Sequence, residues 1–143
     1  MKKKDVVSAY GSLNSAKLSK MEDNAKFKVI KALRQIKKVN SEYEDFLKDA
    51  QEKLKGDDFE SMKEKVQKWQ EEGEKSNLPM SERIAINKFF TEYNNSVSKC
   101  MKEEEEKEVD LDYEKLTEDE FKAFVSSNDF DVQTMVLMQD ILM

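Results

Sequence analysis

Between residues 19 and 55 the apolar positions fall into one register. Val29, Leu33, Ile36, Asn40, Tyr43, Leu47, Ala50 and Leu54 follow one another at spacings of four and three. That spacing keeps them on one side of an α-helix as a heptad seam, with Asn40 its one polar member. Ile30, Val39 and Phe46 widen the stripe, so the pattern predicts a helix packed against more than a single neighbour. Ser19 and Glu22 match a capping box, Gly56 supplies the stop, and no Gly or Pro lies between. Glu44–Lys48 and Asp49–Lys53 are oriented for i,i+4 ion pairs on the outer side. Roughly 35 residues at 1.5 Å each make a rod of about 50 Å. A compact domain of this length has a radius of gyration of about 14 Å. The helix therefore predicts an elongated molecule, or one that projects into a neighbour.

Shorter helices are expected on either side. Val6, Val7, Tyr10 and Leu13 share one side of a helix over 4–14, weakened by Gly11, and residues 14–18 read as a connector. Asp57 and Asp58 are placed to cap a helix carrying Phe59, Met62, Val66 and Trp69. Gly73 to Pro79 is the clearest break. After it, Ser81 is placed to cap a helix with Ile84, Ile86, Phe89, Phe90, Tyr93, Val97, Cys100 and Met101, closed by the mutually repelling run Glu103–Glu106.

From Val109 to Tyr113 apolar and acidic residues alternate, the period of a strand. No partner strand is evident unless another copy or the N-terminal segment supplies an edge, so strand and extended linker stand equally. Thr117 to Glu120 forms a second capping box ahead of a short helix with Phe121, Phe124 and Val125. Asn128 to Asp131 reads as a turn, and Val132 to Leu142 as a last helix. This helix is apolar over most of its circumference, so it must be buried, either in its own bundle or by a partner.

Composition narrows the chemistry. The chain has 143 residues, of which 39% are charged and 38% hydrophobic, with three glycines, one proline, one cysteine and no histidine. Histidine-based acid–base catalysis and histidine metal sites are thereby excluded, and Gly-rich phosphate loops and β-sandwich turns are disfavoured. Thirteen aromatics and eight methionines are enough for a thin core. Cys100 is alone, so it forms no internal disulfide; it reads as a buried, inert thiol in a reducing cytoplasm. The basic start, Lys2 to Lys4, is followed by Asp5, Ser8 and Gly11, which leave no apolar run for a signal peptide. No membrane span is expected.

The net charge of −6 is unevenly spread. Residues 1–55 hold 14 Lys/Arg against 8 Asp/Glu, and residues 56–143 hold 11 against 23. Such polarity favours ends that attract each other, within a molecule or between copies. Lys26, Lys28, Lys31, Arg34, Lys37 and Lys38 lie on the long helix, with Lys31, Arg34 and Lys38 on one face. Phosphate contacts need such charges, but a single Arg, an acidic total and no interleaved aromatic argue against a nucleic-acid binder. Residues 101–143 carry 14 Asp/Glu against 4 Lys, which raises nucleic-acid mimicry as the mirror reading. Calcium loops starting at Asp110 or Asn128 fail at the positions that need Gly and Glu. No carboxylate pair stands out as acid and base, so no catalytic residue, metal site or cofactor is expected, and the sequence argues against an enzyme.

In its layout, from Asp5-Val-Val-Ser-Ala-Tyr10 through Glu108-Val-Asp-Leu-Asp-Tyr113 to the apolar tail, the chain resembles small phage- or prophage-encoded proteins of unknown function. That resemblance implies a virion-assembly or accessory role, and with it virion association. The sequence as a whole predicts an all-α, elongated bundle built on a long antiparallel helix pair, with one short strand near 109–113 as a variant. It is expected to form a single domain of four segments: 1–18, the long-helix core 19–101, an acidic linker 102–116 and a helix pair 117–143. The expected function is a non-enzymatic, cytoplasmic assembly module that forms homo-oligomers or binds a protein partner. Its expected contact surface is Leu33, Ile36, Tyr43 and Leu47 with Met135, Met138, Ile141 and Leu142. The alternative is a charge-driven regulator that binds nucleic acid through the basic helix or mimics it through the acidic half.

Overall fold

All regular structure among the described residues is helical. The computed structural model describes residues 1–73 and 78–143. Six helices follow in order among these residues: α1 Lys3–Asn14, α2 Asp23–Leu54, α3 Phe59–Glu72, α4 Met80–Glu105, α5 Glu118–Ser126 and α6 Val132–Leu142. The all-α expectation is met. Residues 74–77, within the Gly73–Pro79 break, lie outside the described residues. The chain divides into two compact units, one of residues 1–45 with 104–143 and one of residues 46–103. The unit boundaries thus fall inside α2 and α4 rather than in a linker.

In the first unit the 3.6-residue period places Val6, Ala9 and Leu13 of α1 on one buried line, which packs chiefly against α6. Gly11 lies on the exposed side of α1, where its missing side chain costs no packing. Along α2, Ala25, Val29, Ala32, Ile36 and Val39 continue the core, and Phe124, Met138, Ile141 and Leu142 close it. Asn40 is buried, as the seam requires, and its amide Nδ2 donates to Glu44 Oε1 at 3.3 Å. Neither of the expected i,i+4 ion pairs, Glu44–Lys48 and Asp49–Lys53, forms among the described residues. Ile30, expected to widen the stripe, is instead 44% exposed on the far side of the helix.

Residues 109–117 are extended but form no strand, because their backbone groups are satisfied one by one elsewhere. Lys2 and Glu108 form an isolated antiparallel bridge, flanked by Lys3 N–H to Lys107 O and Val109 N–H to Met1 O, each 2.9 Å. The Gln35 amide pairs reciprocally with the Asp112 backbone, accepting from its N–H at 2.8 Å and donating to its carbonyl. Leu116 N–H donates to Leu142 O at 2.7 Å, while Tyr113 Oη and Lys115 Nζ donate to Ile141 O at 2.7 and 3.1 Å. The segment therefore caps the carbonyls that the end of α6 leaves open. The alternation has a different cause: Val109, Leu111 and Tyr113 pack on the core while Asp110 and Asp112 face water.

Helix starts follow the local sequence signal at two places and depart from it at three. Thr117 and Glu120 form the expected capping box, and Asp131 caps α6 by accepting from Thr134 N–H at 2.7 Å. Ser19 caps nothing. The Lys20 N–H goes to Ser127 Oγ at 2.9 Å, Met21 is drawn into the core, and α2 begins only at Asp23. Asp58 precedes α3 without a side-chain cap, because its φ and ψ of −88° and −4° are already helical. Ser81 lies inside α4, which opens instead on the Pro79 carbonyl, accepting from Glu82 and Arg83 N–H at 3.1 Å each. Asn128 locks the connector to the α5–α6 turn: it accepts from Lys17 N–H at 2.7 Å and donates to Lys17 O and Phe124 O at 2.8 Å each.

The second unit is built around aromatic rings. Phe59 of α3 meets Phe90 edge-on at 5.8 Å and Tyr93 at 4.9 Å, and Tyr93 Oη donates to Gln51 O at 3.2 Å. Ile86 is buried beside them, and the Arg83 guanidinium lies 5.3 Å from the centre of the Trp69 ring.

Candidate interaction surfaces

The expected contact residues are mostly spent on the chain's own core. Ile36, Met138, Ile141 and Leu142 are between 0% and 1% exposed, and Leu33 packs half-buried against them. Tyr43 is half-buried and donates to Glu105 Oε1 at 2.6 Å. Burial and then that bond push its hydroxyl up to about 12. Leu47 is half-buried in the second unit. Of the eight, Met135 alone lines an open groove (below). An apolar seam on a helix looks the same in sequence whether its partner is internal or external, and here the partner is internal.

The electrical polarity of the chain is partly discharged within the first unit. Lys2 and Lys4 converge on Glu106 at 2.5 and 2.8 Å and hold its carboxyl down to about 2. Glu104, buried, pairs with Lys107 at 2.8 Å and with Lys3, and both hold its carboxyl below the usual range. Lys28 sits between Glu120 at 2.7 Å and Glu114 at 3.5 Å. Three lysines near the start of the chain thus pair with two of the four glutamates of the run, and one of the helix cations is paired with the C-terminal half. A carboxylate surface already paired with lysines is a poor copy of a phosphate backbone.

The rest of the basic helix is open. Lys31, Arg34, Lys37 and Lys38 are exposed, and none pairs with a carboxylate among the described residues. The face also carries an aromatic, contrary to expectation: Phe27, four residues before Lys31, is 60% exposed. The heptad reading missed it because residue 27 lies outside the seam.

A shallow groove of about 520 Å3 runs between α5 and α6, lined by Phe121, Val125, Val132, Met135 and Val136 with Lys122 and Gln139 at its edge. Val132 and Val136, one helical turn apart, are 71% and 51% exposed. The α6 helix thus shows apolar residues on two sides, Met138, Ile141 and Leu142 to the core and the two valines outward, as its all-round hydrophobicity implied. In the second unit Cys100 is half-buried on α4, and Met80 and Ile84 stand exposed near the start of that helix. Among the described residues no group of three or more Cys, Asp or Glu is placed to hold a metal ion, and no helix is long and apolar enough to cross a membrane. No family model, curated protein or solved structure matches the chain.

Proposed function

We propose that this chain is a non-enzymatic interaction and assembly module that associates with further copies of itself. The observation that carries the reading is the outward apolar side of α6. Val132 and Val136 stand in water beside Phe121, Val125 and Met135, although a helix so close to the core could have carried polar residues there at no cost to packing. Contiguous apolar surface of this kind is what protein partners cover. The resemblance in layout suggests virion assembly or an accessory role as the setting, which flanking portal, capsid or tail genes would support.

Covering the two valines is worth about 2 kcal/mol, or roughly thirtyfold in association. Sedimentation equilibrium of the full chain at micromolar concentration is expected to show species heavier than 16.8 kDa. A Val132→Lys, Val136→Lys double variant should weaken that association, with its helical circular dichroism unchanged. A wild-type chain that sediments only as a monomer overturns the reading.

A second reading rests on Phe27 beside Lys31 and Arg34, an arrangement that suits a nucleic-acid strand through ring stacking and phosphate contacts. Filter binding with a steep salt slope would favour it.

A further inference from the structure

The outward face of α2 carries a charge order that is complementary to itself. Lys31, Arg34, Lys38, Ser41, Glu42 and Asp45 succeed one another at steps of three, four or one, which holds them on a single side of the helix. That side lies opposite the buried line through Val29, Ile36, Val39 and Tyr43, and all six residues are exposed. All six belong to the first unit. The cations occupy the first half of the stretch and the anions the second, with Ser41 between the blocks. None of the five charges forms an ion pair among the described residues, whereas Lys28, three residues before Lys31, has two carboxylates.

We propose that this face is where two copies of the chain meet, with their α2 helices antiparallel about a two-fold axis at the level of residue 40, next to Ser41. The inference rests on the self-association proposed above and names a surface for it separate from the α5–α6 groove. In that arrangement Lys38 of each copy lies at the level of the partner's Glu42, and Arg34 at the level of the partner's Asp45. Symmetry makes every pair occur twice. A parallel arrangement would set cation against cation and carboxylate against carboxylate, so the charge order selects the antiparallel one. The small serine next to the axis lets the helices approach. Because the pairs are solvent-exposed, the contact is weak and screened by salt, with a Debye length of about 10 Å at 0.1 M.

The test is velocity sedimentation of the full chain at low and high salt. Wild type should dimerise at 50 mM NaCl and weaken about tenfold or more at 500 mM. An Arg34→Glu, Lys38→Glu variant and a Glu42→Lys, Asp45→Lys variant should each lose the dimer. Mixed one to one, they should form a heterodimer tighter than the wild-type dimer, because at positions 34, 38, 42 and 45 one copy then carries only carboxylates and the other only cations. Ser41→Cys in a Cys100→Ser background should cross-link to a dimer on oxidation. If a reversal variant lacks the wild-type circular dichroism, the matching Gln substitutions replace it, and loss of the dimer with either Gln pair supports the same face.

Reversal variants that dimerise as the wild type does, or a mixture that stays monomeric, overturn the proposal. If such variants still associate while the Val132→Lys, Val136→Lys variant does not, this face is refuted and self-association survives. A wild-type monomer under all conditions refutes both. Retention of a labelled DNA duplex by wild type and by the Glu42→Lys, Asp45→Lys variant, with no dimer in either, assigns the cations to nucleic acid and likewise overturns it.

Discussion

Replacing Phe124 by Ala is expected to destabilise the first unit by about 3–5 kcal/mol. Phe124 is fully buried, with its ring centre 5.5 Å from that of Phe130 and 6.2 Å from that of Phe121. Truncation removes a large side chain from the core cluster that Phe124 shares with residues of α1, α2 and α6, and the cavity left behind adds to the lost burial. The whole stability of a small domain is about 5–15 kcal/mol, so one substitution takes a large share. Urea titration followed by circular dichroism should show the unfolding midpoint drop sharply. Phe124→Leu, which keeps most of the volume, should cost clearly less. Equal midpoints for the Ala variant and wild type would mean that the ring is not packed as described.

The second large effect belongs to a charge. Glu104→Ala is expected to cost about 2–3 kcal/mol, because it leaves the Lys3 ammonium largely out of water without its carboxylate. The sign of the pH dependence follows from the direction of the shifts. Lysines hold the Glu104 and Glu106 carboxyls below their ordinary value of 4.5, Glu106 down to about 2. Their contribution is therefore complete above the unfolded value and is lost as the pH falls through the folded ones. Stability should decline between about pH 4.5 and 2. In a Glu104→Gln, Glu106→Gln variant the decline over that window should be shallower, read from urea midpoints at pH 6 and pH 3. A variant profile parallel to wild type would show that these pairs do not link folding to pH.

Periodicity and local hydrogen bonding were the legible parts of the fold. The seam residues Val29, Ile36, Asn40 and Ala50 are buried where their spacing puts them, and the Thr117–Glu120 box forms within one turn even though Glu120 also takes Lys28 from 92 residues away. Ser19 offered the same local signal, yet the amide of Lys20 found Ser127, more than a hundred residues away. The alternation from Val109 to Tyr113 reported one-sided burial and left strand and extended linker open, since side-chain period carries no information about where backbone groups bond. The candidate contact surface was illegible for a related reason. Met138 and Val136 are equally apolar neighbours on α6, and only the packed structure tells which one is covered. The self-complementary order on α2 was fully present in the residue types, but it means something only once the opposite side of that helix is known to be buried.

The division of the chain bears on its order of assembly. The helix α2 leaves the first unit after Asp45, and α4 brings the chain back at Glu104. Lysines 2 to 4 therefore wait about a hundred residues for their glutamates, and Lys17 waits still longer for Asn128. On the ribosome the intervening unit is contiguous and emerges whole, while the outer one stays open until its final helix is made. Contacts so distant along the chain are slow to close. The apolar side of α1 thus stays uncovered until α6, more than a hundred residues later, has been made.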